Sequence, residues 1–395
     1  MQKQAWYRFR SFSISDFFPA EKLAPVLLAL GLLLSLILAN SGLAATFQRL
    51  LGTELGFSGI GLRYSVSVWI NDGLMAIFFL LVGLEIKREM RQGELADWRK
   101  AALPVFAALG GMLLPALFYS AFNAGKASAG GWAIPMATDI AFALAVIRLL
   151  EGRIPSGLIT LLAALAIVDD LGAILVIAFF YSSGIQAHYL LFAGLIWLLM
   201  LAFNYFGVRR LVFYLLPGLV LWYCMHHSGI HATIAGVLTA LAIPLRDKKG
   251  GSPLQILEHQ LVKPVNYIIM PLFALANTHL RFETALFENF DFSLGLGIIG
   301  GLFIGKTLGV SLFSWLAVRL GLARLPEQVH GKQLIGLGML AGIGFTMSIF
   351  ISLLSFTQSD AISTAKFAIL TASLLSGISG YLFLRKQRSD RPGAR

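Results

Sequence analysis

Apolar runs of about 20 residues follow one another from Pro25 almost to the C-terminus, each long enough as a helix to cross a hydrocarbon core of roughly 30 Å. Backbone in that solvent has to satisfy its own hydrogen bonds, so the runs predict helices and an all-α integral membrane protein. Only 13% of the residues are charged, against roughly 25% in soluble domains, which leaves no room for a soluble catalytic domain. Twelve hydrophobic segments can be counted, at approximately 24–40, 65–85, 101–122, 131–150, 156–181, 187–206, 211–225, 228–245, 263–280, 294–318, 333–355 and 364–384. The expected organisation is a cytoplasmic N-terminal segment 1–23, a transmembrane domain 24–384 and a basic cytoplasmic tail 385–395.

Charge sets the orientation. With the N-terminus in the cytoplasm, 25 of the 31 Lys and Arg residues fall on cytoplasmic ends and loops or tails, and the outside retains only Arg49, Arg63, Lys126, Arg281 and Lys366. That bias predicts both termini on the cytoplasmic side and requires an even number of spans. The run from Ala24 to Leu38 behind the basic first residues is accordingly read as a signal anchor kept as the first helix rather than a cleaved signal peptide. The formal charge of +11 is spread over short loops and not gathered on a folded basic face, so the partner is the lipid bilayer and not nucleic acid. Cys224 is the only cysteine, which excludes a disulfide framework and a thiolate metal site. Isolated matches to G-x-G lie in hydrophobic segments without the context of a nucleotide site; no cofactor is expected, and energy comes from an ion gradient.

Two stretches between segments have a character of their own. Residues 41–64 are Gly-rich with alternating polarity and predict a small outside hairpin or a plain loop, which is also the expected surface of a homodimer. Residues 253–262 place Leu254, Ile256, Leu257 and Leu261 among polar neighbours, as an interfacial helix leading into the ninth segment would.

Three segments carry charge where it is costly: IPMATDIAF (Ile134–Phe142), LAIVDDLGAI (Leu165–Ile174) and FIGKTLG (Phe303–Gly309). An ionisable side chain near mid-membrane costs roughly 2.5–3.5 kcal/mol even on the gentlest scale, so Asp139, Asp169, Asp170 and Lys306 face the interior or a water cavity. A structural ion pair between helices would account for one acid and one base, but three acids and one base do not balance. At least one carboxylate is left to bind a proton or a mobile cation. Asp169 and Asp170 project about 100° apart on a helix, so one can pair with Lys306 while the other points into a pathway.

The backbone around these charges is interrupted. Pro135 precedes Thr138 and Asp139 in the fourth segment, and the eleventh has Gly336, Gly338, Gly342 and Gly344 ahead of Phe345, Thr346 and Ser348. Unpaired backbone is tolerated in a bilayer only where it meets protein, water or a ligand. Segments 3–5 (about 101–181) and 10–12 (about 294–384) both run whole helix, broken helix, whole helix, and start on opposite sides of the membrane. That pattern predicts inverted-topology repeats whose discontinuous helices, segments 4 and 11, cross near the bilayer centre.

The stretches NDGLMAIFFLLVGLEIKRE (Asn71–Glu89), GWAIPMATDIAFALAV (Gly131–Val146), LAIVDDLGAI, SGIHATIAGV (Ser228–Val237) and AGIGFTMSIF (Ala341–Phe350) resemble those of the NhaA sodium/proton antiporters, over about residues 10–385. Inverted repeats are a plan documented for secondary transporters, this family among them. The resemblance implies export of Na+, and of Li+, in exchange for H+ by alternating access, with Asp170 the main cation carboxylate and Asp169 its neighbour paired with Lys306 when the site is empty. It also implies that Asp139 and Thr138 stand at the crossing of the broken helices. Asp170, Asp139 and Thr138 are the expected oxygen ligands of transported Na+, with carbonyls freed by the break. Asp72 matches a family acidic position and is otherwise a solvated span end. Glu85, Glu89 and Glu258, with His231 and His259, look like the family's cytoplasmic pH-responsive cluster. His231, alone in a Gly/Ala-rich helix, is also a natural packing residue. Two other classes fit less well. A passive channel has no need of two symmetric broken helices, and an intramembrane aspartyl protease has no use for Lys306 beside its acids.

Overall fold

Long helices separated by short turns make up the chain, in a computed structural model that describes residues 20–182, 184–245, 251–284 and 288–387. Most of the N-terminal segment 1–23 and of the tail 385–395 therefore lies outside the described residues. The helices are α1 (Ala20–Ala39), α2 (Ala44–Gly52), α3 (Val66–Gln92), α4 (Trp98–Asn123), α5 (Ile140–Arg148), α6 (Ser156–Phe180), α7 (Ala187–Tyr205), α8 (Val212–Ser228), α9 (Ile234–Ala242), α10 (Pro253–Pro264), α11 (Met270–Asn277), α12 (Phe292–Arg319), α13 (Gly331–Ala341), α14 (Phe345–Ser355) and α15 (Ser359–Lys386). Among the described residues six of them are long and apolar enough to cross a membrane, or up to nine spans if each of three bent pairs counts as one. The fold is thus helical and membrane-embedded. Burial separates centre from periphery: 61% of the most apolar window of α6 is buried, against 11% for α7, whose Leu191, Leu195 and Leu198 are exposed. Apolar exposure on that scale fits lipid, where it costs nothing.

The stretch 41–64 is more ordered than a plain loop. Phe47 and Leu51, four residues apart, share a helical face, and the segment up to Gly52 forms α2 with Leu51 buried in the core. The hairpin is confined to β1 (Glu54–Phe57) and β2 (Leu62–Ser65), antiparallel with Glu54 opposite Ser65, and Gly61 takes the left-handed conformation at the turn. The helix expected at 253–262 is present as α10; it continues through a π-helical turn, Val265–Ile269, straight into α11. The ninth segment therefore begins about ten residues earlier than hydropathy marks it.

The bent pairs matter most for the site. Ile134–Met136 is a 3-10 turn with Pro135 inside it, Ala137 is extended, and α5 starts after Asp139; the two arms differ in direction by 41°. α13 and α14 meet at 50° across Gly342, Ile343 and Gly344. The two breaks lie against each other. The Asp139 N–H donates to the Ile343 carbonyl at 2.6 Å, and the Ser348 hydroxyl donates to the Ile134 carbonyl at 2.8 Å. Each break thus supplies partners for backbone groups that the other leaves open.

Close packing of α4 on α12 depends on glycine. A Cβ on Gly110 would sit 2.2 Å from the Gly309 carbonyl oxygen, and one on Gly309 2.1 Å from that of Gly110, so the two backbones touch as in small-residue membrane crossings. Just before Lys306, α12 widens into a π-helical turn, Gly301–Gly305. A Cβ on Gly301 would meet Pro135 at 2.7 Å. These contacts bring Lys306 to the first break.

Candidate functional site

Asp169 and Asp170 sit midway along α6, Thr138 and Asp139 in the break before α5, and Lys306 on α12 where its π turn ends. All five side chains are buried. Lys306 Nζ lies 2.6 Å from Asp169 Oδ2 and donates also to the Met136 carbonyl, one of the groups that the break frees from helical pairing. The Thr138 hydroxyl is 2.7 Å from Asp169 Oδ2 and 2.8 Å from the Ala341 carbonyl, and donates its one proton to either. Asp169 is therefore the partner of Lys306.

Asp139 is satisfied in a different way. Its Oδ1 accepts from the Phe142 N–H at 3.0 Å, and its Oδ2 accepts from the Thr346 N–H at 3.1 Å and the Thr346 hydroxyl at 2.5 Å. One carboxylate thus caps the N-terminus of α5 and reaches the first turn of α14. Both ends carry partial positive charge, which compensates the acid without a cation.

Asp170 has neither kind of support. It is 2% exposed, and its Oδ1 has no hydrogen-bond partner among the described residues. The surplus acid inferred from the sequence is thereby located: Lys306 answers Asp169, two helix ends answer Asp139, and Asp170 is left over. It lines a cavity of about 380 Å³ together with Thr138, Asp139 and Thr346, and the same cavity is lined by Glu85, Arg148, His259 and Lys263. Neither Asp169 nor Lys306 is part of that lining. A larger cavity of about 770 Å³, beside Arg99, Thr160 and Arg324, holds none of the buried acids. Chemistry, not size, marks the site.

The family model described as Na+/H+ antiporter 1 matches residues 15–384. A protein of Flavobacterium johnsoniae named Na(+)/H(+) antiporter NhaA 2 is 56% identical over 380 residues, covering 95% of this chain and 93% of its own length. The chain belongs to the NhaA family. Similar proteins named Na(+)/H(+) antiporter NhaA include those of Citrobacter koseri, 48% identical over 379 residues with 94% of this chain and 98% of the relative covered, and Oleidesulfovibrio alaskensis, 45% over 416 residues with 93% and 92% covered. The relatives of this NhaA-family chain are thus named as transporters and not as enzymes.

The remaining sequence-predicted residues fall into two groups, not one. Arg88 binds Glu89 at 2.6 Å and Glu258 at 3.0 Å, which joins α3 to α10, while Glu85 and His259 line the cavity leading to Asp170. His231 does not belong with them. Its Nε2 is 3.6 Å from Asp72 Oδ1, and His226 Nδ1 is 3.3 Å from Asp72 Oδ2. Asp72 lies in the π-helical turn Trp69–Leu74, and Asp72 and Glu85 are separated by about 20 Å along α3 at 1.5 Å per residue. The expected pH-responsive cluster therefore loses His231, because the turn between α8 and α9, with Gly229 in the left-handed conformation, stands at the Asp72 end of α3 and not at its Glu85 end. Sequence reasoning missed Arg88, His226 and the Met136 carbonyl. Only Arg88 left a signal, as the one basic residue flanked by Glu85 and Glu89 on the same helical face.

Proposed function

We propose that this chain exports Na+, and Li+ with it, in exchange for H+ by alternating access across a bacterial inner membrane. The observation that carries the proposal is Asp170: a buried carboxylate with an unpartnered oxygen at a cavity, next to an acid that already has its lysine. An isolated buried charge is costly, so the site rests only when a proton or a small hard cation neutralises it. Oxygen ligands suit Na+ and Li+, and Asp170, Thr138 and Asp139 offer them around one cavity. Proton and cation compete for the same oxygens. The empty ionised site resists the rocking that carries it across, and only loaded forms exchange sides.

The architecture we infer is twelve spans with both termini cytoplasmic, the segment 1–23 and tail 385–395 flanking a transporter domain 24–384. α4, the first bent pair and α6 form one repeat, and α12, the second bent pair and α15 form its inverted partner. With that topology the Asp170 cavity, lined by Arg148, Lys263 and Glu85, opens to the cytoplasm. Glu85 and His259 in its lining, with Glu89 and Glu258 bridged by Arg88 nearby, are suited to regulation by cytoplasmic pH. Asp72, His226 and His231 stand toward the outside as pathway groups. A homodimer through residues 41–64 fits the exposed Leu55 and Phe57 of the hairpin.

The test is reconstitution into sealed vesicles carrying a pH dye. Added Na+ should drive protons in the opposite direction in the wild type and leave Asp170→Asn silent. Sodium entry without a pH change would point to a channel and overturn the proposal.

A further inference from the structure

An apolar groove of about 410 Å³ lies between α15, α1 at Leu32 and the end of α5. Leu374, Gly377 and Ile378 line it on α15, Val146 lines it on α5, and Ile343 and Phe345 line it from the break between α13 and α14. Leu374, Ile378 and Leu382 are 64%, 51% and 47% exposed, so the groove is open to the bilayer. Among the described residues its only polar side chains are Ser373 and Tyr381, and Ser373 Oγ already accepts the Phe345 N–H at 3.1 Å. From Leu370 to Leu382 the groove follows α15 for about 18 Å, close to one leaflet of a core roughly 30 Å thick. Beyond it α15 ends in Arg385 and Lys386.

We propose that this groove seats an acyl chain of one anionic phospholipid, whose headgroup phosphate is met by Arg385 and Lys386. Placement in the cytoplasmic leaflet rests on the topology proposed above, and basic residues at that level draw anionic lipid. An unfilled apolar groove forfeits the dispersion contacts that a chain would supply, so in a bilayer lipid fills it. The groove leads to the site. Ile343, at its base, accepts the backbone N–H of Asp139, and the Phe345 ring packs edge-on against Phe142 at 5.3 Å. A seated chain therefore packs directly on the crossing of the two breaks and supports it, so that transport responds to the lipid present.

Gly377 provides the means to test this. A Cβ there meets nothing nearer than Ile343 Cδ1 at 3.5 Å, so Gly377→Ala enters the groove at ordinary contact distance and the longer side chain of Gly377→Leu extends further into it. The full chain is reconstituted in phosphatidylethanolamine vesicles with or without phosphatidylglycerol; co-purifying lipid is counted by native mass spectrometry and exchange is followed with the pH dye. The wild type should retain phosphatidylglycerol several-fold over phosphatidylethanolamine and exchange several-fold faster when it is present. Gly377→Leu should retain several-fold less of either lipid and lose the response while keeping its exchange in phosphatidylethanolamine alone, with Gly377→Ala between. The double change Arg385→Gln, Lys386→Gln should keep a bound lipid but lose the preference for phosphatidylglycerol. Equal retention and equal response in wild type and Gly377→Leu would overturn the proposal. So would a change of oligomeric mass in Gly377→Leu with lipid retention intact, which would assign the groove to a second copy of the chain. Exchange lost by Asp170→Asn but retained by Gly377→Leu keeps the two proposals separable.

Discussion

Replacing Lys306 by Met keeps most of the stem beside Gly111 and removes the ammonium, with its hydrogen bonds to Asp169 and to the Met136 carbonyl. It strands Asp169, whose Oδ1 already lacks a hydrogen-bond partner and whose Oδ2 would keep Thr138 alone. Both side chains of the pair are 0% exposed, so solvent cannot take over from the lost ammonium. Breaking a buried pair by removing one partner costs about 3–5 kcal/mol, whereas removing both charges is close to neutral. At about 2 °C per kcal/mol, the low end for larger chains, the apparent melting temperature should fall by roughly 6–10 °C. Adding Asp169→Asn should return most of it, a coupling of several kcal/mol in a double-mutant cycle. The penalty belongs to the ionised acid, so it should shrink when the buffer is acid enough to protonate Asp169. Thermal unfolding of the detergent-purified protein, followed by tryptophan fluorescence for all four members of the cycle, measures this directly. Additive losses, or an unchanged melting temperature in Lys306→Met, would refute the idea that the ion pair compensates Asp169.

Asp170→Asn should abolish exchange while melting at or above the wild-type temperature, because it removes a buried acid that has no partner; a clear drop in melting temperature would contradict this. Thr138→Ala removes a donor shared by Asp169 and Ala341 but neither charge, so apparent Na+ affinity should weaken by less than about tenfold, read from the sodium dependence of exchange. At the start of α12, burial by itself would raise the Asp291 carboxyl, but the Ser293 hydroxyl and the Leu294 and Ser293 N–H groups donate to it and hold it below its ordinary value. The folded value being depressed, this cap stabilises at pH above about 3.9 and is lost as pH falls through the folded value. Asp291→Ala should therefore cost about 1 kcal/mol at neutral pH and progressively less in strong acid, seen as converging melting curves. A cysteine at Ser156 should stay unlabelled by an impermeant outside reagent; labelling would sink the twelve-span topology.

Sequence alone determined that the chain lives in a bilayer, because apolar runs of that length have no other solvent, and it singled out Asp139, Asp169, Asp170 and Lys306, because charge in such runs has to be housed; Thr138 came only with the family resemblance. It also showed that at least one of the acids has no cation of the protein to pair with. Helix geometry left open which of the neighbours Asp169 and Asp170 it was, since residues next to each other on a helix differ only in direction; only the family resemblance implied that Asp169 pairs with Lys306. Tertiary structure decided that through contacts between residues far apart in the chain: Lys306 to Asp169, Thr346 to Asp139, Ile343 to the Asp139 backbone. The grouping of His231 with the cytoplasmic acids failed for a different reason: it followed the family resemblance, whereas the break between the segments ending at 225 and starting at 228 falls on the outer side, and the turn at Gly229 leaves His231 against Asp72. Periodicity and composition carry the solvent and the inventory of charges. Pairing and capping are properties of three-dimensional proximity, which helix geometry and composition alone do not encode and the family resemblance only implied.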